Sequence, residues 1–190
     1  MPQRSRPLLI LILALPWCFG CSQKNDRQQT PTGSVQTQSP TPPSTPPAAP
    51  PQAAVPTVAE GNTLVVQLTG DDSMHFNGVR FTVTSGQPVR IELKNIGQNP
   101  PAVMAHNVVV LKSGSDPEAF SFAAGQEKAE GYLPTALKQE VLAFTAFAGP
   151  DDTVQTTFTA PAPGEYPFLC SFPGHYAAGM HGVMIVEPAK

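Results

Sequence analysis

Cysteine is scarce in this chain of 190 residues, which contains three cysteines in all. Two of them, Cys18 and Cys21, lie close to the amino terminus, so the rest of the chain contains Cys170 alone. A single cysteine cannot form an internal disulfide. Cys170 is therefore a buried small hydrophobe, a reactive thiol or a metal ligand, and the composition of the chain alone leaves these three alternatives open.

Charge is also sparse, because Asp, Glu, Lys and Arg make up 13% of the chain and the formal net charge is −3. A chain without an excess of basic residues has no electrostatic footprint for nucleic acid, so no nucleic-acid partner is expected. Residues 60–190 have a formal charge of −6, yet no Asp, Glu, Lys or Arg lies between Glu165 and Glu187. That uncharged stretch contains Cys170.

The first 21 residues have the pattern of an export signal. Arg4 and Arg6 precede the apolar run PLLILILALPW, which at about ten residues is too short to span a bilayer. The run ends in CFGC, and a cysteine after a small residue at this position resembles the lipobox of bacterial lipoproteins. We therefore predict a signal segment over residues 1–21 with lipidation at Cys21. An ordinary cleaved signal without lipid is the alternative.

Proline is abundant, at 23 residues, and most of it lies before residue 60. Residues 22–59 are rich in Pro, Thr, Gln and Ser and show no hydrophobic periodicity, so they cannot bury a core. We predict a disordered linker over residues 22–59, which serves either as a tether or as a passive spacer. Together, the export signal, the lipidation at Cys21 and this linker predict a protein that is periplasmic or at the cell surface and is anchored to a membrane by lipid.

Short runs of alternating apolar and polar residues begin at Glu60. In VRFTVT and VRIELKN, for example, every second residue is apolar and these residues share one face. About eight such runs separated by Gly, Pro, Asp and Asn predict an all-β fold, an antiparallel β-sandwich, over residues 60–190. Good helix formers between Asp116 and Ala129, with Asp116 as N-cap and Pro117 in the first turn, predict one short helix in a long connection.

Three potential metal donors recur at five-residue intervals in FLCSFPGHYAAGM, namely Cys170, His175 and Met180. The segment SFPG predicts a tight turn that brings His175 back toward Cys170, and His106 opens the strand HNVVVLK far upstream. Two imidazoles and a thiolate with a weak thioether are the donor set of blue copper sites. Thiolate favours Cu(I), and imidazole suits copper in both oxidation states. The pattern therefore predicts one copper site.

These residues make the domain resemble the cupredoxins, in particular the azurins and auracyanins. The segment VMAHNVVVL is similar to the azurin segment that carries the first histidine ligand. The segment YPFLCSFPGHYAAGMHGVMIVEP is similar to the terminal Cys–His–Met ligand loop. The resemblance covers residues 60–188 and implies a Greek-key β-sandwich.

The resemblance also implies a role for each residue of the motif. His106, Cys170 and His175 correspond to the equatorial copper ligands, and Met180 corresponds to the axial one. A weak contact from the backbone carbonyl of Ala105 is implied opposite Met180. Outside the first ligand shell, the resemblance implies a hydrogen-bonded pair that joins the two ligand-bearing segments: Asn107 and Ser171. Residues outside the motif are interpreted as surface or packing residues: His75, His181, Met74, Met104 and Met184.

The function implied is that of a membrane-tethered, extracytoplasmic blue copper protein that carries single electrons between redox partners. Enzyme activity is not expected, because only His75 and His181 remain to build a second metal site. Redox partner proteins are expected to dock near His175, whose ring edge is expected to lie near solvent because it belongs to a short surface loop. The alternatives are a copper carrier or chaperone without an electron-transfer role and a structural surface lipoprotein with a degenerate site.

Overall fold

The computed structural model describes residues 53–190, which contain nine β-strands in two sheets. The strands are β1 (Thr57–Glu60), β2 (Thr63–Gly70), β3 (Arg80–Thr84), β4 (Pro88–Asn95), β5 (Val109–Leu111), β6 (Val141–Phe144), β7 (Thr153–Thr159), β8 (Gly164–Leu169) and β9 (His181–Glu187). One sheet has the order β1-β2-β4-β7 and the other the order β3-β9-β8-β5-β6. The predicted all-β sandwich is confirmed.

Two strand pairs depart from the predicted antiparallel arrangement, because β2 pairs with β4, and β3 with β9, in parallel. The chain leaves the four-stranded sheet after β2, contributes β3 to the other sheet and returns as β4. Two reversals of direction bring β4 back beside β2 pointing the same way. Alternation of apolar residues reports which face of a strand is buried, and it carries no information about the direction of the neighbouring strand.

The core lies between the sheets and is built by the faces that the alternation predicted. Val89, Ile91 and Leu93 of β4 are completely buried, and the intervening residues are not. From the other sheet, Phe168 packs between two rings, with centroids 5.7 Å from Phe76 and 5.4 Å from Phe81. Full burial of each large apolar side chain stabilises the fold by about 1.5–3 kcal/mol before losses of conformational entropy.

The predicted helix is present as α1 (Pro117–Ala124), and its cap is the predicted one. The Asp116 carboxylate accepts hydrogen bonds from the backbone N–H groups of Glu118 and Ala119 at 3.0 and 3.1 Å. A second helix of one turn, α2 (His175–Ala178), was not predicted. Short 3₁₀ helices span Lys128–Glu130 and Thr135–Glu140. Within residues 53–190, no helix has the length and apolar character needed to cross a bilayer.

Residues before the predicted boundary at Glu60 already belong to the fold. The buried residue Val55 and the first three residues of β1 fall inside the segment predicted as linker, residues 22–59. All four residues of β1 are exposed, so no apolar alternation marked this strand, and its pairing with β2 supplies the order. The rest of the predicted linker and the predicted signal segment 1–21, including Cys21, lie outside the described residues.

Four strand ends meet at one end of the sandwich. Strand β8 finishes at Leu169, opposite Val109 at the start of β5 and His181 at the start of β9. From the other sheet, β2 finishes at Gly70, which packs against Met180. We call this the donor end, because the segments that follow or precede these strand ends carry the predicted metal donors.

Candidate metal centre

Three donor atoms converge at the donor end. His106 Nδ1 lies 3.3 Å from His175 Nδ1, and Cys170 Sγ lies 3.4 Å from His175 Nδ1. All three donor atoms lie within 4.8 Å of one another. His106 and Cys170 are fully buried and His175 is 1% exposed. The fold thus brings together residues that the sequence separates by more than sixty positions.

Met180, the fourth predicted donor, is fully buried beside this cluster. Its position depends on Gly70, because a Cβ atom at residue 70 would lie 2.6 Å from Met180 Cε and 3.2 Å from the His106 ring. The thioether side chain and the His106 ring therefore share the space that the missing side chain leaves. Gly70 was not identified from the sequence, because a glycine at a strand end carries no signal of what approaches it.

Backbone hydrogen bonds close the loop that carries Cys170, His175 and Met180. The Cys170 N–H donates to the Met180 carbonyl at 3.0 Å, and the Met180 N–H donates to the His175 carbonyl at 2.9 Å. Helix α2 is bounded by Gly174 at φ 85° and Gly179 at φ 107°. Both values lie in the left-handed region that glycine tolerates best. The two glycines thus let one helical turn fit between the sulfur donors.

The backbone of His106 is held by Ala148, which lies in the connection between β6 and β7. Its backbone forms a two-way bridge with Ala148, at 3.2 Å from the His106 N–H and 2.8 Å to the His106 carbonyl. The Asn95 amide donates to the same Ala148 carbonyl at 3.0 Å. Asn95 is 1% exposed and supports the histidine through Ala148. The sequence does mark Asn95 as unusual, because it is the last residue of β4 and the polar residue on the buried face of that strand.

Asn107 and Ser171 join the two segments that carry the donors. The Asn107 side-chain amide donates to Ser171 Oγ at 3.0 Å, and the Ser171 backbone N–H donates to Asn107 Oδ1 at 2.9 Å. Both residues are buried. The carbonyl oxygen of Ala105 lies 4.0 Å from Cys170 Sγ. Each bond acts between residues that flank His106 and Cys170, so it fixes the separation of those donors.

Burial sets the protonation of the donors. It raises the pKa of the Cys170 thiol to about 12, although the backbone N–H groups of Asn107 and Phe172 favour the thiolate. Burial lowers the pKa of His175 to about 4, with His106 adding to the effect. Burial also lowers the pKa of His106, against the opposing influence of Asp71 and Asp72. Both imidazoles are therefore neutral at pH 7, which is the state that binds metal.

The donor set fits a soft or borderline metal cation. Two neutral imidazole nitrogens and one sulfur face each other in a buried cluster. None of the three groups carries a positive charge that would stabilise a thiolate at Cys170. A cation placed among them offsets the desolvation that disfavours the thiolate. Buried sulfur and nitrogen donors with a thioether alongside suit copper, whereas Mg²⁺ and Ca²⁺ require oxygen ligands.

The His175 ring does not itself face solvent. The residue is buried, and Phe172 packs on its ring at a centroid distance of 4.7 Å. Tyr132 and Phe147 pack in turn on Phe172, at 5.4 and 5.9 Å. These two residues come from distant connections, so the ligand loop alone gave no indication of the aromatic layer. The exposed residues of the ligand loop nearest His175 in sequence are Pro173, Gly174 and Ala177.

The two remaining histidines stand outside the cluster. His75 is exposed, and its Nδ1 lies 2.7 Å from the Ser73 carbonyl, which accepts a hydrogen bond from it. His181 is exposed and stacks on Tyr176 with ring centroids 4.5 Å apart. Of the methionines assigned to packing, Met184 is fully buried in the core, and Met74 and Met104 are half-buried.

Residues 63–187 match the family of copper binding proteins described as plastocyanin/azurin. Auracyanin-A of Chloroflexus aurantiacus is 38% identical over 118 residues, which are 61% of this chain and 69% of that protein. Auracyanin-B of the same organism is 35% identical over 118 residues, which are 62% of this chain but 49% of that protein, so the match spans about half its length.

Among solved structures, dithionite-reduced auracyanin from Roseiflexus castenholzii matches with a TM-score of 0.55 at 32% identity, covering 68% of this chain and 100% of that one. The family match over residues 63–187 covers strands β2 to β9 and all four donors. The chain therefore belongs to the plastocyanin/azurin family of copper binding proteins.

Proposed function

We propose that this protein carries single electrons between redox partners, with one copper ion held as a blue copper site. The observation that supports this is a complete, buried set of four donors whose positions are fixed by hydrogen bonds within the protein. His106, Cys170 and His175 are proposed as the equatorial ligands and Met180 as the axial ligand. The Ala105 carbonyl is proposed as a weak contact opposite Met180.

Copper, when bound, supplies a one-electron redox couple. The protein's own part is to keep the donors still while the charge of the site changes. Asn107 and Ser171 hold the separation of the two ligand segments, the closed loop holds Met180, and the aromatic layer over His175 excludes water. A site that does not rearrange or rehydrate needs little reorganisation for electron transfer.

A copper carrier or chaperone is the second candidate. Such a protein must release its metal, so its donors need access to solvent and to competing ligands. Here every donor residue is at most 1% exposed, and release requires opening of the loop that the bonds between Cys170, Met180 and His175 close. Burial therefore supports electron transfer over delivery of copper. It also supports a role without catalysis, since a buried ligand set leaves no position for a substrate.

The Cys170→Ser variant tests the function directly. We expect loss of the intense blue absorption with the fold retained, because a serine oxygen cannot form the thiolate bond responsible for the colour. Burying a hydroxyl in place of the thiol costs about 1–3 kcal/mol, so far-ultraviolet circular dichroism is recorded in parallel. Cys170→Ala serves as the second variant in case the hydroxyl itself prevents folding. Blue absorption in either variant would exclude Cys170 as a ligand.

The Met180→Leu variant tests the axial assignment. We expect copper to remain bound and the reduction potential to rise, because loss of a weak sulfur donor destabilises Cu(II) more than Cu(I). Met184→Leu is the matched control, since Met184 is equally buried but lies in the hydrophobic core. Cyclic voltammetry measures both. An unchanged potential in Met180→Leu, or an equal shift in the control, contradicts the axial role.

We further propose that the protein is exported and anchored to a membrane through lipid at Cys21. The apolar run followed by CFGC and the proline-rich segment of residues 22–52 support this. Mass spectrometry of the membrane-extracted protein is expected to show a diacylglyceryl group on an amino-terminal Cys21. Cys21→Ala is expected to lose it, and Cys18→Ala to retain it. A mature protein that begins at another residue without lipid rules out the anchor.

Redox partners are proposed to dock on the loop that covers His175. Its exposed residues Pro173, Gly174 and Ala177 carry no charge, and Phe122 of α1, which is 76% exposed, lines the same surface groove. The ligand loop contributes no charge to this groove, because no charged residue lies between Glu165 and Glu187, and the groove's one charged lining residue is Glu118 of α1. Apolar contact is then the main attraction, and charge contributes only steering.

The Ala177→Asp variant tests this docking face. In electron self-exchange two copies meet through the same face, so two introduced carboxylates approach each other. We expect the self-exchange rate to fall about tenfold, which corresponds to about 1.4 kcal/mol. Ala136→Asp adds the same charge at an exposed position of the 3₁₀ helix Thr135–Glu140 and is the control. Nuclear magnetic resonance line widths of mixed oxidation states give the rate. Equal rates in the two variants place the docking face elsewhere.

A further inference from the structure

The path by which the chain enters the fold bears on where its partner resides. We infer that the amino-terminal stalk attaches at the donor end, beside the docking face, and that this face therefore works against a redox partner embedded in the same membrane. The inference rests on the proposed anchor and electron-transfer role and adds to them a direction and a class of partner. It is carried by the hydrogen bonds of the first described residues.

Residues 53–55 lie along the outer edge of β3. The Val79 N–H donates to the Ala53 carbonyl at 2.9 Å, and the Val55 N–H donates to the Arg80 carbonyl at 2.8 Å. Ala54 and Arg80 form a parallel bridge. The entering chain therefore runs in the same direction as β3, and residue 53 lies level with the residue that precedes the strand.

The direction of β3 is fixed by its neighbour β9. These strands are parallel, with Arg80 opposite Val183 and Thr84 opposite Glu187. Strand β9 begins at His181, directly after the donor Met180. The start of β3 is consequently its donor end, and residue 53 is at that end too. From there the chain runs away from the donors through Val55.

The entry point borders the ligand loop itself. Val79 accepts the N–H of Val183 at 2.9 Å while donating to Ala53. Val79 and Arg80 also line a surface cavity of about 420 Å³ together with Gly179 and His181, the two residues on either side of Met180. Ala53 is therefore hydrogen-bonded directly to Val79, which lines the cavity beside the ligand loop.

The carboxyl terminus leaves from the opposite end. The Glu187 carbonyl accepts the N–H of Ser85, which follows the last residue of β3. Strand β9 has seven residues, so its two ends are about 20 Å apart at about 3.3 Å per residue. A stalk attached before residue 53 leaves the domain at the donor end, whereas a stalk attached after Glu187 leaves it at the opposite end. The two attachments can therefore be compared in one domain.

Attachment at the donor end changes what the anchored protein can reach. Residues 22–52 are 31 residues, and a chain spans at most about 3.3–3.6 Å per residue. From the donor end, all of that length is available for bringing the docking face to the membrane surface. From the opposite end, about 20 Å of that length would be used in returning along the sandwich. The effective concentration of the face at the membrane falls when a linker must span such a distance.

The test compares two attachments of one stalk. In the native order, residues 21–190 are coupled through Cys21 to a maleimide lipid in phosphatidylcholine vesicles. In the control, residues 22–52 follow Lys190 and end in the coupled cysteine, and the chain begins at residue 53. Each is also prepared with a ten-residue stalk, residues 43–52. The vesicles contain a lipid with a ferrocenium head group, which takes one electron from the reduced protein and becomes ferrocene.

With the ten-residue stalk, we expect the native attachment to retain its rate within about twofold. We expect the control attachment to be at least tenfold slower, and the difference to shrink with the full stalk, because a longer linker can return along the domain. The blue absorption of the oxidised protein reports the rate. Equal vesicle rates for the two short attachments overturn the inference, as does a faster control.

Two further measurements separate this inference from the proposed function. Soluble ferrocenium must oxidise both proteins at the same rate, and failure in both contradicts electron transfer itself. A fluorophore on Ala177→Cys or on Ala189→Cys, with an acceptor dye in the lipid, reports orientation without any redox step. Stronger energy transfer from position 177 is expected with the native short stalk, and from position 189 with the control. Indistinguishable transfer from the two positions in the native protein overturns the inference.

Discussion

The metal centre depends on one constraint, which is that two chain segments 64 residues apart must face each other at a fixed separation. The Asn107–Ser171 pair meets it, because it joins the residue after His106 to the residue after Cys170 by two hydrogen bonds of 2.9 and 3.0 Å. Both partners are buried, so water does not compete, and breaking the pair leaves unsatisfied polar groups in the core at a cost of about 1–3 kcal/mol. The loop bonds and the Ala148 bridge position the donors relative to this joint.

Burial makes the same centre unfavourable without a cation. The desolvation that raises the pKa of Cys170 and lowers those of the two histidines keeps all three donors neutral and poorly solvated. Metal binding relieves that cost, and ligand binding to the folded state alone stabilises the fold. The hydrogen bonds that hold the donors and the burial that disfavours their charged forms are thus complementary. The hydrogen bonds fix the positions of the donors, and burial ties occupancy of the site to a folded, closed loop.

The sequence was sufficient wherever the information was local. The faces of β4, the Asp116 cap and the spacing of Cys170, His175 and Met180 were all predicted, because period, capping chemistry and turn residues act within a few positions. It was insufficient where distant segments meet. The space left by Gly70, the cover supplied by Tyr132 and Phe147, and the parallel pairing of β3 with β9 each depend on contacts between residues far apart in the chain. Even the solvent exposure of His175 is decided by such contacts.

Strand β1 and residues 53–55 show how the entering chain is integrated with both sheets. Residues 53–55 bond to β3 at the edge of the five-stranded sheet, and β1 then pairs with β2 at the edge of the four-stranded sheet. Edge strands left bare are templates for aggregation. Residues 53–55 cover the start of the edge strand β3, whereas β1 is itself the edge strand of the four-stranded sheet. The close packing beneath residues 53–55 requires Gly182, where a Cβ atom would lie 2.3 Å from the Val79 carbonyl oxygen. That carbonyl is the one that bonds Val183 two residues after His181. The segment through which the chain enters the fold, residues 53–55, is therefore packed onto the start of the strand that follows Met180, and the positions of this segment and of Met180 rest on the same few contacts.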